Sequence, residues 1–425
     1  MVKSETFPSG LRLVTETLPH VRSVAIGVWL TRGSRHESDA ESGIAHFVEH
    51  MLFKGTERRS ARDLAQAIDS VGGQVDAFTS KEYAGYYIKV LDEHVPIALD
   101  LLSDMLLNPA LAPDDVVREQ GVILEEIKMV EDAPDDLVHE MFVQKFWTRH
   151  PLGRPILGTP ETVASFSSAQ LRNYFRRTYV APNLVVAAAG HLDHDRLRDD
   201  IARVFGSLSS VASDDAVTAP SMTPGVDQRV KDIEQSHVCL GTTAYGEGHA
   251  DRHAVFVLNT ILGGSMSSRL FQHIREERGL AYSVFSNLSS YTDAGMISVY
   301  AGCAADKVDE VVSLALDELH GLRSEAVPAE ELRRAKDHLK GSVMLSLENT
   351  SSRMSHLARQ EMVFGRHISF DEMLANIEAV SADDVLRVAQ DLFRDDGMVA
   401  SVVGPDRGDR LSADRLRLTQ GAPKA

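Results

Sequence analysis

His46-Phe47-Val48-Glu49-His50 places two imidazoles and a carboxylate within five residues of an amphipathic run. Residues four apart on an α-helix lie on nearly the same face, so His46 and His50 can grip one cation together. Glu49 lies beside them, placed to act on a water next to the cation rather than on the cation itself. The chemistry open to such a set is metal-assisted hydrolysis with the carboxylate as base. It requires a real helix and a third ligand, because a catalytic zinc usually has three protein ligands and one open position. The run that opens at Pro113 supplies carboxylates for that role. Glu119 and Glu126 are two helical turns apart and share a face, whereas Glu125 is off that face by about a quarter-turn. Spacing leaves open which of Glu119 and Glu126 touches the metal; the other can hydrogen-bond a histidine N–H. Nitrogen and oxygen ligation suits zinc and also accepts manganese or cobalt.

The elements that must position these residues occur twice. Apolar strands at Ser23–Leu30 and His237–Thr243 are each followed by a helix, Gly43–Leu52 and Arg252–Leu262. Shorter helices at Ala61–Val71 and Ser268–Arg278 end at Gly72-Gly73 and Gly279, as helix C-termini often do. Alternating runs near Gln74–Val90 and Ala281–Ala301 read as strand pairs. Long amphipathic helices follow at His94–Leu107 and Asp306–Leu322, then helices opened by Pro113 and Pro328. Late apolar strands, Asn183–Gly190 and Met398–Gly404, end in glycine. The expected fold is α+β: two duplicated domains, each a mixed, mostly antiparallel sheet covered by helices. The small, polar, proline-rich stretch between the halves predicts a linker at 209–231, a metal-binding domain at 1–208 and a second, homologous domain at 232–425.

The repeat supplies an internal control. Aligning Gly55 with Gly264 sets Val255, Leu258 and Asn259 opposite His46, Glu49 and His50. Aligning Pro113 with Pro328 sets Arg334 and Gly341 opposite Glu119 and Glu126. The second copy keeps the helices without the acid and imidazole groups, so the fold itself does not require them.

Bulk properties narrow the function classes. A chain of 425 residues with a formal net charge of −18 lacks the basic face of a nucleic-acid binder and favours basic partners through electrostatic steering. Cys239 and Cys303 sit in apolar strand-like runs without metal-site spacing, and read as buried reduced thiols. No stretch approaches transmembrane length and the first dozen residues show no targeting pattern, which predicts a bacterial cytoplasmic protein.

H-x-x-E-H reverses the H-E-x-x-H signature of zinc peptidases. With two glutamates on a downstream helix, the chain resembles the pitrilysin/insulinase family of zinc metallopeptidases, in particular the subgroup like the mitochondrial processing peptidase. Supporting motifs run in the family's order: Met51-Leu52-Phe53-Lys54-Gly55-Thr56, Ala77-Phe78-Thr79-Ser80-Lys81-Glu82-Tyr83, Gly263-Gly264-Ser265-Met266 and Arg275-Glu276-Glu277-Arg278-Gly279-Leu280-Ala281-Tyr282. The resemblance implies one zinc per chain held by His46, His50 and Glu126, with Glu119 as supporting carboxylate and Glu49 as general base. It implies that Arg275 and Tyr282 of the second domain donate to the oxyanion. Ala77, Phe78, Thr79 and Ser80 resemble the sheet-edge strand that pairs with substrate backbone. Phe53 resembles the lining of the pocket after the scissile bond, and Asp136 and Glu140 stand where acidic groups bind an arginine before it. Asp136 and Glu140 read equally well as a solvated acidic helix start.

The function so implied is a zinc-dependent endopeptidase that cleaves unfolded peptides or presequence-like segments. Each chain would form a half-clamshell. Two chains, a homodimer or alternatively a heterodimer, would enclose the chamber, with peptides as substrates, basic ones favoured, and no nucleic acid or membrane as partner. The rival reading is a non-catalytic or heteromeric scaffold subunit. The intact motif and the short glycine segment at Leu262–Met266 rank it second.

Overall fold

The computed structural model describes residues 1–211, 217–395, 397–408 and 410–418. The chain divides into two compact units, each built on one sheet.

The first unit carries six strands: β1 (Val2–Thr6), β2 (Arg12–Thr17), β3 (Ser23–Leu30), β4 (Gln74–Thr79), β5 (Ala84–Leu91) and β6 (Leu184–Gly190). Their spatial order is β1-β2-β6-β3-β5-β4. Only β2 and β6 run parallel; the other neighbours are antiparallel. The second unit repeats this plan with β7 (Gly225–Val230), β8 (Gln235–Ala244), β9 (Ala281–Ser290), β10 (Gly295–Ala304) and β11 (Val399–Gly404), in the order β7-β11-β8-β10-β9. Again the sole parallel pair is β11 with β7. The duplicated, mixed and mostly antiparallel architecture expected from the repeat is therefore present, with β1 as an addition to the first copy.

The central strands read as continuous apolar runs because both faces of each sheet are covered. Along β3, Val24, Ile26, Val28 and Leu30 join the larger core, while Ala25 and Trp29 face the opposite side. That opposite side is closed by the helix Thr350–Phe364, whose Met354, Leu357 and Ala358 pack on Trp29, Val14, Val185, Ala187 and Ala189. Reciprocally, the helix Pro134–Phe146 packs Leu137, Val138, Met141, Phe142 and Phe146 on Cys239, Met296, Tyr300, Val399 and Val403 of the second sheet. Full burial of a large apolar side chain stabilises by roughly 1.5–3 kcal/mol. Several together decide which sheet a helix joins, whatever its position along the chain.

This exchange corrects the expected domain boundaries. The first unit is Met1–Lys128, Arg154–Val217 and Ser346–His367; the second is Met129–Gly153, Thr218–Leu345 and Ile368–Ala425. The expected linker at 209–231 is also too long, since β7 occupies its end. β7 is an edge strand of half-buried and exposed residues, none of them fully buried, so its composition looks like a connector. Residues 212–216 of that linker lie outside the described residues. A second correction concerns Ser268–Arg278. The helical segment there is shorter, residues 269–276, and π-helical over Phe271–Glu276. Both cysteines are buried and free, and burial pushes their thiols upward, Cys303 to about 11. They are unreactive packing residues.

Candidate metal centre

The helix Ile44–Leu52 sorts its residues into two stripes. Ile44, Phe47, Val48, Met51 and Leu52 are fully buried in the first core, while His46, Glu49 and His50 share the other, half-buried face. Its start is unusual. Gly43 at the N-cap has φ of 94° and offers no side-chain cap. A Cβ there would lie 2.7 Å from the Leu157 carbonyl oxygen, so both backbone and space call for glycine. The missing cap comes from a carboxyl group outside the helix. Glu37 is buried, and its Oε2 accepts from Gly43 N–H and its Oε1 from Ala45 N–H, each at 2.8 Å. Arg154, hydrogen-bonded to the Glu37 carbonyl, and Lys81 supply nearby positive charge.

The second wall is the helix Pro113–Asp132. Val116, Glu119 and Ile123 are buried along the stripe that continues to Glu126. Glu126 lies 3.7 Å from His46 Nε2 and 3.5 Å from His50 Nε2. His46, His50 and Glu126 each direct a ligand atom into a group spanning no more than 4.8 Å, the sole such cluster among the described residues. Glu119, 3% exposed, does not join it. Its Oε2 meets His50 Nδ1 at 3.0 Å and its Oε1 meets Lys54 Nζ at 2.6 Å. The tertiary fold thus separates two carboxylates that spacing alone could not. A proton on Nδ1 held by Glu119 leaves Nε2 as the lone-pair nitrogen facing the cluster.

Burial, and secondarily the neighbouring His50, holds the His46 imidazole down at about 4, so the ring is neutral at ordinary pH and its lone pair is open to a cation. Burial raises the Glu49 carboxyl, which suits a group that must accept a proton and return it. Two imidazole nitrogens and one carboxylate oxygen, with no fourth side chain joining them among the described residues, fit the donor set of a catalytic zinc with one position open. Glu119→Gln removes the negative charge between His50 and Lys54 and leaves one acceptor oxygen where the carboxylate offers each of them its own. It is expected to weaken zinc binding on the order of 10- to 100-fold, measured by competition with a chromogenic chelator; unchanged affinity would show that Glu119 does not orient His50.

The remaining expected site residues divide between the units. Phe53 is half-buried against the first core. Ala77, Phe78 and Thr79 lie on β4, the edge of the first sheet, and Ser80 follows it. Thr79 Oγ1 donates to Glu49 Oε2. Asp136, exposed, and Glu140, half-buried, stand on the helix that packs in the second unit. Arg275 and Tyr282 also belong to the second unit. The Arg275 guanidinium lies 4.7 Å from the Phe271 ring centre and 4.9 Å from that of Tyr282, which is 81% exposed. Sequence reasoning gave no role to Glu37 or Lys54. Lys54 carried a usable signal, since it follows His50 by one helical turn; Glu37 carried none.

Two family descriptions cover most of the chain: "Insulinase (Peptidase family M16)" matches residues 12–160 and "Peptidase M16 inactive domain" matches 165–339. The second label begins within the first unit, runs through much of the second, and includes none of His46, Glu49, His50 and Glu126. The Bacillus subtilis protein named "uncharacterized zinc protease YmxG" is 44% identical over 95% of this chain and 98% of its own length. An uncharacterized zinc protease of Streptomyces coelicolor is 44% identical over 97% and 91%, and one of Rickettsia bellii 36% over 94% and 96%. Among solved structures, a peptidase M16 inactive domain from Pseudomonas fluorescens superposes with TM-score 0.89 at 20% identity, covering 95% of this chain and 98% of that one. A protease from Helicobacter pylori gives 0.87 at 23%, covering 95% and 99%. These two likenesses speak to the fold. No helix among the described residues is long and apolar enough to cross a membrane. By both halves of the family description and by relatives aligned along nearly its whole length, the chain belongs to the M16 insulinase family of peptidases.

Proposed function

We propose that the protein is a zinc-dependent endopeptidase in which His46, His50 and Glu126 hold the ion and Glu49 is the general base. The observation that carries this reading is the convergence of those three ligand atoms with Glu49 on the same helix face. A bound zinc would polarise the scissile carbonyl and acidify the attacking water. Glu49 takes a proton from that water as the oxygen adds to the carbonyl carbon. It then gives the proton to the amide nitrogen as the C–N bond breaks. β4 has β5 on one side and, among the described residues, no strand on the other, so a substrate strand can add there through main-chain hydrogen bonds. Phe53 selects an apolar residue after the cleaved bond, and Asp136 and Glu140 a basic one before it. Arg275 and Tyr282 serve as oxyanion donors, a role supported by family membership and by the stacked, preset guanidinium. The substrates are unfolded or presequence-like peptides, basic ones favoured by the net charge of −18. They are cut in a chamber closed by a second copy of the chain, in the bacterial cytoplasm.

Metal removal tests the core of this reading. Protein stripped with 1,10-phenanthroline is expected to lose at least about 100-fold of its cleavage of an internally quenched peptide library, and one equivalent of zinc per chain to restore it. Full cleavage by the stripped protein would overturn the proposal. The mass of the species in solution tests the pairing, and the residues preferred on either side of the cut test Phe53, Asp136 and Glu140.

A further inference from the structure

Thr79 is the last residue of edge strand β4, and its hydroxyl donates to Glu49 Oε2. Among the described residues no hydrogen bond reaches the other oxygen, Oε1. The terminal torsion of a glutamate is broad and roughly two-fold, so a carboxylate on an open helix face samples many planes. One fixed donor removes that freedom. The donor is itself stiff, since Thr is β-branched and sits in a strand. We propose that Thr79 is a positioning residue for Glu49. Its hydroxyl holds one carboxylate oxygen and turns the other toward the attacking water, so that the strand offered to substrate also sets the base.

The competing explanation is a helix–strand latch with no bearing on chemistry, and the second unit shows what such a latch looks like. Ser286 of β9 follows Gly279 at the same interval at which Thr79 follows Gly72, and both glycines have positive φ, 61° and 60°. Ser286 Oγ donates to the Asn259 carbonyl at 3.0 Å and to Asn259 Oδ1 at 2.8 Å. Asn259 stands opposite His50 in the repeat. A hydroxyl from the edge strand to the first helix is thus common to both copies. In the second copy it meets an amide and a backbone carbonyl; in the first it meets the carboxylate that moves the proton. The inherited contact has become part of the base.

This inference rests on Glu49 being the base, so the test carries both. On zinc-loaded protein and one quenched peptide from the library, Thr79→Val is expected to lower kcat about ten- to a hundred-fold with KM within twofold, and Thr79→Ser to restore most of the loss. A rise in KM with unchanged kcat would make Thr79 a substrate contact only. Unchanged kcat and KM with a lower melting temperature would make it a latch only. Failure of both Thr79→Val and Thr79→Ala to fold would also assign it to the latch. Each of these outcomes overturns the inference. If Glu49→Gln cleaves as fast as the native protein, the reading of Glu49 fails instead, a result distinguishable from the others.

Discussion

Glu49→Gln is expected to lower kcat by roughly 10³-fold or more while zinc content and melting temperature stay at native values. A positioned general base contributes about 10²- to 10⁴-fold, and here one group serves both proton transfers. The substitution is close to isosteric. The amide oxygen can still accept from Thr79, and Glu49 is not among the three residues that converge as ligands. The change therefore removes proton acceptance alone. Zinc measured by atomic absorption together with single-turnover hydrolysis separates this from loss of the metal, which His50→Ala would cause. Cleavage within tenfold of the native rate would sink Glu49 as the base, as would a variant that loses its zinc in parallel with its activity.

The parts of the site that were legible in the sequence are those whose geometry is local. His46, Glu49 and His50 declare themselves because one helix sets their relation. The choice between Glu119 and Glu126 was not legible, because both lie on the same stripe of the Pro113–Asp132 helix. Only the packing of that helix brings Glu126 to both Nε2 atoms and Glu119 to Nδ1. The duplicated topology was legible because the order of elements repeats; the extent of β3 follows from a nearly continuous apolar run, and that of the helix Arg252–Leu262 from a largely apolar stretch stopped by Gly263. The exchanged helices were not legible. An amphipathic helix such as Pro134–Phe146 announces that it has an apolar face, yet nothing in its sequence names the sheet that will cover it. β7 was missed for the opposite reason: a polar edge strand carries little periodic signal.

Glu37 is the residue with no sequence signature at all, and its removal should have the largest effect on stability. It caps a helix from a loop, so no fixed spacing betrays it. Glu37→Ala leaves the amides of Gly43 and Ala45 without their acceptor. An orphaned buried donor costs about 1–3 kcal/mol, so the pair should cost on the order of 2–6 kcal/mol, a large part of a domain's stability. Glu37→Gln keeps one acceptor oxygen and should cost about half as much. Because Ala45 precedes His46, zinc affinity should fall with stability in the same order. Burial pushes the Glu37 carboxyl from 4.5 up to about 8, more than the Ala45 and Gly43 amides and the Arg154 and Lys81 charges pull it down. The folded chain then holds this proton more tightly than the unfolded chain. Its contribution to stability is complete below pH 4.5 and is lost as pH rises through about 8. The stability advantage of the native protein over Glu37→Gln, from urea melts of the zinc-loaded proteins, should accordingly shrink from pH 5 to pH 8. An advantage that grows across that range would mean that the carboxylate is ionised in the fold and that the two amides outweigh its burial. A Glu37→Ala protein as stable as the native one would remove Glu37 from the support of the metal-binding helix altogether.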